Sequence, residues 1–524
     1  MSNFAAAFRL FRAGWIMVRE GVVAALPGDQ LSGLPNLGWR IARLLTRRRA
    51  IRRGRSDRLA TALTRLGPSY VKLGQFLATR PDVVGNDMAL DLALLQDRMA
   101  TFPSSQAVTA IEDSLGRPIG ELFSSFGEPV AAASIAQVHT AEVDRDGDNV
   151  KVAVKVIRPG VRRAFFRDLE SYFLAARLQE RYIPATRRLQ PVEVARTLAQ
   201  TTRIEMDLRL EAAALSEIGE NTRDDPGFRV PLVDWVRTGR DVLTLEWIDG
   251  VKMSNVEALR AAGHDLKGIA ANLVQSFLRH TLRDGFFHAD MHPGNLFVEA
   301  DGTIVAVDFG ITGRLGKKER RFLAEILYGF ITRDYLRVAE VHFEAGYVPR
   351  THNVAAFAQA IRAIGEPIHG QPAETISMAK LLTLLFEITE LFDMQTRPEL
   401  VLLQKTMVVV EGVARTLDPA FNMWKTSEPV VGDWIAGNLG PRGIMIDMRD
   451  GASSLLSLVR QAPEIAARTE RLSREIDSMA EHGLRFDKST TDAIGKAEAH
   501  ATRWGRVALW VSAIALVWIA YKLS

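Results

Sequence analysis

Three residues with oxygen-bearing side chains lie at the ends of one short segment and within it: Asp290, Asn295 and Asp308. Two β-prone runs, 295–298 and 303–307, lie between the first and the last of these residues, with an Asp-Gly pair between the runs. This pattern predicts a β-hairpin that brings the three side chains to the ends of two paired strands. One carboxylate there could orient an attacking hydroxyl, while an amide oxygen and a second carboxylate hold Mg²⁺ against phosphates. The segment therefore predicts phosphoryl-transfer chemistry.

The alternative for this segment is a surface hairpin with acidic turns, because short motifs recur by chance. The segment, however, combines His288, Asp290 and Asn295 with an Asp-Phe-Gly triplet at 308–310. Their order and spacing match the catalytic loop and DFG triplet of kinases. The joint occurrence favours the catalytic interpretation.

Lys155 lies in a predicted strand whose VAVK tetrapeptide matches the β3 signature of kinases. This predicts that Lys155 contacts the α- and β-phosphates of ATP, and an ordinary strand-edge lysine is the alternative. A cation there needs a carboxylate, and the next acidic helix, predicted over 203–211, offers Glu211. Spacing alone supports equally well a solvated helix in which Arg203 pairs with Asp207.

Two further segments are predicted to line the nucleotide. A run of small residues takes the place of a glycine-rich phosphate loop, but it contains no glycine; it consists of Ala131, Ala132, Ala133 and Ser134. Because alanine resists positive φ, this loop should be stiffer than a glycine-rich one. A predicted strand over 241–250 ends in an acidic, glycine-marked connector, where backbone groups near Glu246 to Ile248 could meet an adenine edge.

Composition limits the chemistry that the chain can perform. The 524 residues are 47% hydrophobic and 24% charged, enough for two or more domains with substantial cores. The absence of cysteine excludes disulfides, thiolate catalysis, iron–sulfur ligation and cysteine-based zinc sites. The net charge of +4 is small and basicity is local, which argues against a general nucleic-acid binder.

The first 58 residues are amphipathic and basic. Apolar residues such as Phe4, Phe8 and Trp15 alternate with arginines, which indicates a helix that either lies on a membrane or packs on the main domain. The arginine-rich run 47–55 could gain about 1 kcal/mol per charge beside an anionic leaflet. In a soluble protein the same run would be solvated.

An uncharged run over 507–520 is bordered by aromatic and basic residues. It spans roughly 21 Å against a hydrocarbon core of about 30 Å, so the flanking residues are needed to cross it. We expect a short transmembrane anchor over 504–523, and a buried terminal helix is the alternative. Arg503 and Arg506 before the span predict a catalytic domain facing the cytoplasm at the inner membrane.

Taken together, the motifs between about residues 60 and 350 resemble those of UbiB/AarF-type atypical kinases, the family tied to ubiquinone biosynthesis. The motifs are KxGQ at 72–75, AAASIAQVH at 131–139, VAVK at 152–155, ExD at 205–207, HADMHPGN at 288–295 and DFG at 308–310. The resemblance implies an α+β, two-lobed protein-kinase-like fold with an N-terminal helical extension, to which the sequence adds the C-terminal transmembrane helix.

The resemblance also implies roles for individual residues. The KxGQ helices, with Lys72 and Gln75, would cover the active site and meet the acids Glu205 and Asp207. This cover is associated with weak or absent protein kinase activity and with ATPase or small-molecule phosphorylation. The catalytic set would be a Lys155–Glu211 pair, Asp290 as the catalytic acid, and Asn295 and Asp308 as metal ligands.

The predicted regions follow from these motifs. They are an amphipathic, basic region 1–58, a KxGQ extension 59–118, an N-lobe 119–250, a helical C-lobe 251–440, amphipathic helices 441–503 and the anchor 504–523.

The chain is thus expected to be a membrane-anchored enzyme that uses ATP or ADP with Mg²⁺. Only 311–316 separate the DFG triplet from the next predicted helix, and no APE triplet follows before residue 462, which favours a small or membrane-held acceptor over a peptide. Expected partners are a membrane lipid or quinone precursor, other quinone-biosynthesis enzymes and a second copy of the chain, but no nucleic acid. The alternatives are a phosphotransferase of the choline or aminoglycoside kinase type and a nucleotide-switched scaffold without catalysis.

Overall fold

The computed structural model describes residues 3–25, 34–51, 53–78, 80–85, 88, 91–92, 99–183, 187, 189–370, 388, 391–394 and 398–439. The chain divides into two compact units, Met1–Ile435 and Ala436–Ser524, and nearly all described residues belong to the first. Within the described ranges, no helix is both long and apolar enough to cross a membrane. The predicted helices over 441–503 and the predicted anchor over 504–523 lie outside these ranges.

A helical region precedes the first sheet. Its helices are α1 (Asn3–Arg19), α2 (Leu34–Leu45), α3 (Arg48–Ile51), α4 (Arg55–Leu66), α5 (Pro68–Ala78), α6 (Pro81–Val84), α7 (Ser104–Leu115) and α8 (Ile119–Leu122). Two further helices, α9 (Val161–Tyr182) and α10 (Pro191–Glu205), follow later in the chain. Leu63 and Val71 pack in one apolar cluster with Phe165 of α9. This shared core fixes α4 and α5 on the folded body.

Helix α1 packs by one face and leaves the opposite face exposed. Ala6 and Ala13 are buried, and Arg9 Nη2 lies 2.9 Å from the Glu170 carboxylate of α9. The exposed face carries Phe4, Phe8, Phe11 and Trp15. Packing on the main domain is therefore confirmed for one face, and contact with a membrane stays a prediction for the other.

A four-stranded antiparallel sheet forms the N-terminal lobe. Its strands are β1 (Ser125–Ala132), β2 (Ala136–Arg145), β3 (Asp148–Ile157) and β5 (Val242–Glu246), in the order β1-β2-β3-β5. Val152, Val154 and Val156 of β3 are buried, as the period of two along a strand requires. They pack with Ile111 of α7, so the opposite face of β3, which bears Lys155, is turned toward the rest of the molecule.

Short strands and long helices form the second lobe. The strands are β4 (Phe228–Arg229), β6 (Val251–Lys252), β7 (Phe286–His288), β8 (Leu296–Val298), β9 (Ile304–Ala306) and β10 (Thr312–Arg314). The helices are α11 (Leu208–Asn221), α12 (Val256–Ala261), α13 (Leu266–Arg279), α14 (Lys317–Thr332), α15 (Tyr335–Glu344), α16 (Val354–Gly370), α17 (Pro398–Leu417) and α18 (Met423–Asn438). The predicted hairpin is confirmed as β8 and β9, with Leu296 opposite Ala306.

One sequence prediction about the helices is wrong. The helix expected over 203–211 is broken: α10 ends at Glu205 and α11 begins at Leu208. Asp207 caps the second helix, because its side chain accepts from Arg209 N at 3.2 Å. The break gives the acids on either side of it different directions.

Candidate active site

Lys155 joins two carboxylates from distant parts of the chain. Its Nζ lies 2.8 Å and 2.9 Å from the two oxygens of Glu211, and 2.8 Å from Oδ1 of Asp308. Strand β3 supplies the lysine, the first turn of α11 supplies Glu211, and the segment after β9 supplies Asp308. The N-terminal sheet, helix α11 and the segment that follows the β8–β9 hairpin therefore meet at Lys155.

The two carboxylates of this cluster have different electrostatic environments. Glu211 has a side chain only 5% exposed, and burial raises its pKa to about 7 although Lys155 acts against the shift. Lys155 lowers the pKa of Asp308 to about 2. Asp308 lies in the cleft between the Lys155-bearing sheet and the β8–β9 hairpin, and 47% of its side-chain area remains accessible. Asp308 is therefore the ionised carboxylate that faces the cleft.

The backbone at Asp308 is held in an uncommon conformation. Its φ of 63° lies in the left-handed region, which residues with a Cβ rarely adopt. The next residue, Phe309, is buried and lies against the ring of His288, with centroids 4.4 Å apart. The buried side chain of Phe309 and the contact of Asp308 with Lys155 together hold this conformation. Strain retained in this way is common at functional sites.

His288 links the loop of Asp290 to the end of the hairpin. Its Nδ1 accepts from Asp290 N at 3.1 Å, and its Nε2 lies 3.1 Å from the carbonyl oxygen of Val307. These partners assign the proton to Nε2, and burial lowers the pKa of His288. A neutral, buried imidazole thus fixes the direction in which the Asp290 loop leaves β7.

Asn295 closes the same loop. Its side-chain Nδ2 donates to the carbonyl oxygen of Asp290 at 3.1 Å, and its backbone carbonyl oxygen accepts from Val307 N at 2.9 Å. With Nδ2 turned inward, Oδ1 is the Asn295 atom that remains for a cation. The described part of the chain holds no cluster of three or more histidine or acidic side chains suited to a metal.

The KxGQ segment lies close to this cluster. Lys72 Nζ is 2.6 Å from Oε2 of Glu205, with side chains 15% and 6% exposed, and its charge contributes to the lowered pKa of Asp308. Gln75 lies one turn later in α5 and is half-buried. Asp207 does not join Lys72: it pairs with Arg209 at 2.7 Å. The structure thus shows a Lys72–Glu205 contact and, in place of the alternative Arg203–Asp207 pair, an Arg209–Asp207 pair.

The alanine-rich run covers the end of β1 and the connection to β2: Ala131 and Ala132 end β1, and Ala133 and Ser134 lie in the connection. The base of this hairpin is tied to the segment before α7. Gln137 accepts from Phe102 N at 3.0 Å and donates to Phe102 O at 3.1 Å. Its Nε2 also lies 2.7 Å from Nε2 of His139, whose Nδ1 lies 2.9 Å from the carbonyl oxygen of Gly127. Each polar atom of this buried network has a partner, so the hairpin has a rigid base.

Glu246, one of the two predicted adenine-contacting residues, has partners within the fold. Its N–H donates to the carbonyl oxygen of Leu232 at 2.9 Å, and its carboxylate is held by Arg229, at 2.9 Å and 3.0 Å. Arg229 also binds Glu299 at 2.7 Å. The N–H of Glu246 is therefore committed to the fold, and contact of the remaining backbone groups near Glu246 to Ile248 with an adenine edge stays a prediction.

Sequence reasoning missed two residues next to the Asp290 loop. Lys405 Nζ lies 3.8 Å from Oδ1 of Asp290, and Thr406 Oγ1 lies 3.0 Å from the carbonyl oxygen of Ala289. Both come from α17, more than 100 positions later in the chain. No local motif could have indicated them, because the contact exists only through the folding of α17 onto the loop.

Family models match two parts of the chain. The ABC1 atypical kinase-like domain matches residues 94–342, and the UbiB helical domain matches residues 361–422. The first match contains Lys155, Glu211, Asp290, Asn295 and Asp308.

Named relatives match most of the chain. The "Probable protein kinase UbiB" of Marinobacter nauticus is 41% identical over 87% of this chain and 83% of its own length. The protein of the same name from Pseudomonas putida is 39% identical, over 89% and 86%. A solved structure, of Rv3197 with erythromycin from Mycobacterium tuberculosis, is 26% identical with a TM-score of 0.48, over 72% of this chain and 95% of that chain.

The two lobes, the lysine-bearing sheet and the hairpin that ends at Asp308 agree with the match to the ABC1 atypical kinase-like domain. The chain belongs to the UbiB family, and it has a kinase-like α+β fold.

Proposed function

We propose that this chain is an atypical kinase or ATPase that uses Mg·ATP at the inner membrane to support ubiquinone biosynthesis. The observation that carries the proposal is the position of Lys155, within 2.8 Å of both Glu211 and Asp308. A cation fixed at the sheet and an ionised carboxylate in the cleft are the parts that bind opposite sides of a metal-bound triphosphate.

Each residue has a role in this proposal. Glu211 holds Lys155, which binds the α- and β-phosphates of ATP. Asp290 accepts a hydrogen bond from the acceptor hydroxyl, or from water, and takes up its proton as the new bond to phosphorus forms. The rigid base of the alanine-rich hairpin places that loop over the phosphates, and the backbone at Ile248 meets the adenine edge.

The residues present fit Mg²⁺. Asp308 offers an ionised carboxylate and Asn295 offers Oδ1, which are the hard oxygen ligands that Mg²⁺ prefers. Because this pair supplies only two side chains, phosphate oxygens and water would complete the coordination shell. Mg²⁺ bound there would neutralise charge on the β- and γ-phosphates.

The segment after Gly310 supports a small or membrane-held acceptor. Thr312–Arg314 forms β10, which pairs with β7, and α14 begins at Lys317. The chain therefore returns to the folded core within a few residues of Asp308. A long segment that could dock a peptide has no place between β10 and α14.

Placement at a membrane has support from α1 as well as from the predicted anchor over 504–523. The exposed face of α1 is aromatic, and Arg12 and Arg19 lie beside it at helical spacing. Such a face suits the boundary between lipid headgroups and acyl chains. We propose a cytoplasm-facing catalytic domain that meets a lipid or quinone precursor there, with other enzymes of the pathway and a second copy of the chain as candidate partners.

Phosphate release by the full-length protein in anionic vesicles tests the proposal. We expect turnover that needs Mg²⁺ and increases with a phenol-like quinone precursor. Asp308→Asn should lower the rate by about 100-fold or more, since it removes the charged metal ligand. Asp301→Asn, at the other end of the same hairpin, is the matched control and should retain the rate. Asp308→Asn protein with wild-type turnover would refute the metal assignment, and nucleotide binding without turnover would favour the scaffold.

A further inference from the structure

Lys405 brings a positive charge from the helical region to the catalytic loop. Its Nζ lies 3.8 Å from Oδ1 of Asp290, and 39% of each side chain is exposed. This exposure distinguishes the pair from the buried Lys72–Glu205 pair, with side chains 15% and 6% exposed. The Lys405 ammonium is therefore accessible to a ligand at the place where Asp290 would meet an acceptor.

The helix that carries Lys405 is firmly mounted. Thr406 is buried, and its Oγ1 lies 3.0 Å from the carbonyl oxygen of Ala289, the residue before Asp290. Leu403 and Val410 of α17 belong to the apolar core that also contains Ala289. Thr406 thus fixes the backbone of the loop, and its neighbour Lys405 presents an ammonium group to the Asp290 carboxylate.

Phosphoryl transfer requires cations on both sides of the group that moves. Negative charge is spread over the equatorial oxygens of the transferred phosphoryl, and preorganised cations stabilise it. Lys155 lies at the sheet, where the α- and β-phosphates are proposed to bind. Lys405 lies at the acceptor side, beside Asp290, where the γ-phosphoryl must arrive.

We propose that Lys405 is a catalytic residue that binds the γ-phosphoryl oxygens, so that the helical region completes the active site. The inference rests on the proposed function, because it places ATP between Lys155 and Asp290. In the transfer, the bond from the γ-phosphorus to the β-bridging oxygen breaks and leaves ADP. The bond from the acceptor oxygen to phosphorus forms, and the acceptor proton goes to Asp290. Lys405 keeps its proton throughout.

Steady-state kinetics of the full chain with Lys405→Met test the catalytic role. We expect kcat to fall by about 100-fold, as on removal of one transition-state donor, while KM for ATP changes by about threefold or less. Lys405→Arg keeps the charge and should restore part of kcat. Lys425→Met, an exposed lysine on α18, is the matched control and should keep wild-type kcat. An unchanged kcat in Lys405→Met, or a change confined to KM, would overturn the inference.

A binding measurement separates this inference from the proposed function. Titrations with ADP and with a non-hydrolysable ATP analogue compare ligands that differ in the γ-phosphate. Lys405→Met should weaken binding of the analogue by about tenfold and leave ADP affinity unchanged, since Lys405 contacts only the terminal group. This comparison is informative even if the wild-type protein releases no phosphate. An equal loss for both ligands, or no loss, would contradict contact with the γ-phosphate.

Discussion

At the residue scale, the chemistry of the site comes from three charges that share one small volume. Lys155 pairs with two carboxylates, but Glu211 is buried with a pKa of about 7, whereas Asp308 has a pKa of about 2 and faces the cleft. Environments that separate the pKa values of neighbouring acids separate their roles as well. Glu211 is therefore a positioning residue for Lys155, and Asp308 is the acid that can meet a metal.

The surroundings of Asp225, away from the cleft, also determine its pKa. Its side chain is 5% exposed and lies 2.5 Å from Arg283 Nη1 and 3.3 Å from His280 Nε2. Burial acts to raise the pKa of Asp225, but the close contact with His280 and the hydrogen bonds from Arg283 outweigh it and hold the pKa well below its usual value. Because the pKa is lower in the folded state, this stabilisation is present above about pH 4 and is lost as the pH falls further.

We predict that Asp225→Asn lowers the free energy of unfolding by about 2 kcal/mol at pH 7. The value is below that of a fully buried pair, because Arg283 is 43% exposed and partly screened. Thermal unfolding of both proteins should show a gap in Tm that is constant above pH 5 and narrows below about pH 4. Asp249→Asn, at an exposed position, is the control. A gap independent of pH would contradict the charge argument.

How much of the site could be predicted depends on how local its signals are. Asp290, Asn295 and Asp308 lie within 19 residues of one another, so spacing and a hairpin pattern were sufficient to group them. Glu211 could be named only as a candidate partner of Lys155, with a solvated helix as an equal alternative, since Lys155 is 56 positions away. Lys405 gave no local signal, because its contact with Asp290 is produced by tertiary packing of α17.

At the element scale, the break between α10 and α11 separates the directions of two acidic side chains, Glu205 and Glu211. Glu205 ends α10 and turns to Lys72, whereas Glu211 lies in α11 and turns to Lys155. The sequence over 203–211 contains no glycine or proline, so its helical propensity gave no reason to expect a break. The break is stabilised by a distant partner, since Leu208 N donates to the carbonyl oxygen of Arg240 at 3.0 Å.

The Lys72–Glu205 contact leads to a prediction about α5. Lys72→Met leaves the buried Glu205 carboxylate without this cation, which should loosen α5 from α10. If α5 covers the active site, phosphate release or ATP affinity should change by about fivefold or more. Lys267→Met, an exposed lysine on α13, is the control for loss of charge. Wild-type rates and affinities in Lys72→Met would count against a covering role.

At the scale of the whole molecule, the two-lobed fold was predictable because the motifs between about residues 60 and 350 resemble those of a known family; periodicity indicated individual strands and helices. The apolar cluster that joins α4 and α5 to α9 was not, because residues such as Val71 and Phe165 come from segments far apart in sequence. The predicted region boundaries and the predicted anchor over 504–523 stay predictions.

The arrangement of α1 predicts how the molecule meets a membrane. Phe4, Phe8, Phe11 and Trp15 recur at helical spacing and are 82%, 63%, 72% and 45% exposed. The opposite face is fixed to α9 through Arg9. The aromatic face therefore has a set direction relative to the folded body. We expect it to enter the headgroup boundary of an anionic bilayer, with nearby arginines at the lipid phosphates.

Because the chain contains no cysteine, one substitution places a single spin label in the full-length protein. Labels at Phe8→Cys and Phe11→Cys, in nanodiscs with anionic lipid, should be more accessible to oxygen than to a water-soluble nickel complex. A label at Leu336→Cys, on α15 and 53% exposed, should show the reverse. Equal nickel accessibility at all three positions would exclude contact between α1 and the bilayer. Spin–spin broadening at positions 8 and 11 would instead assign the face to a second copy, since only close approach of two labels produces it.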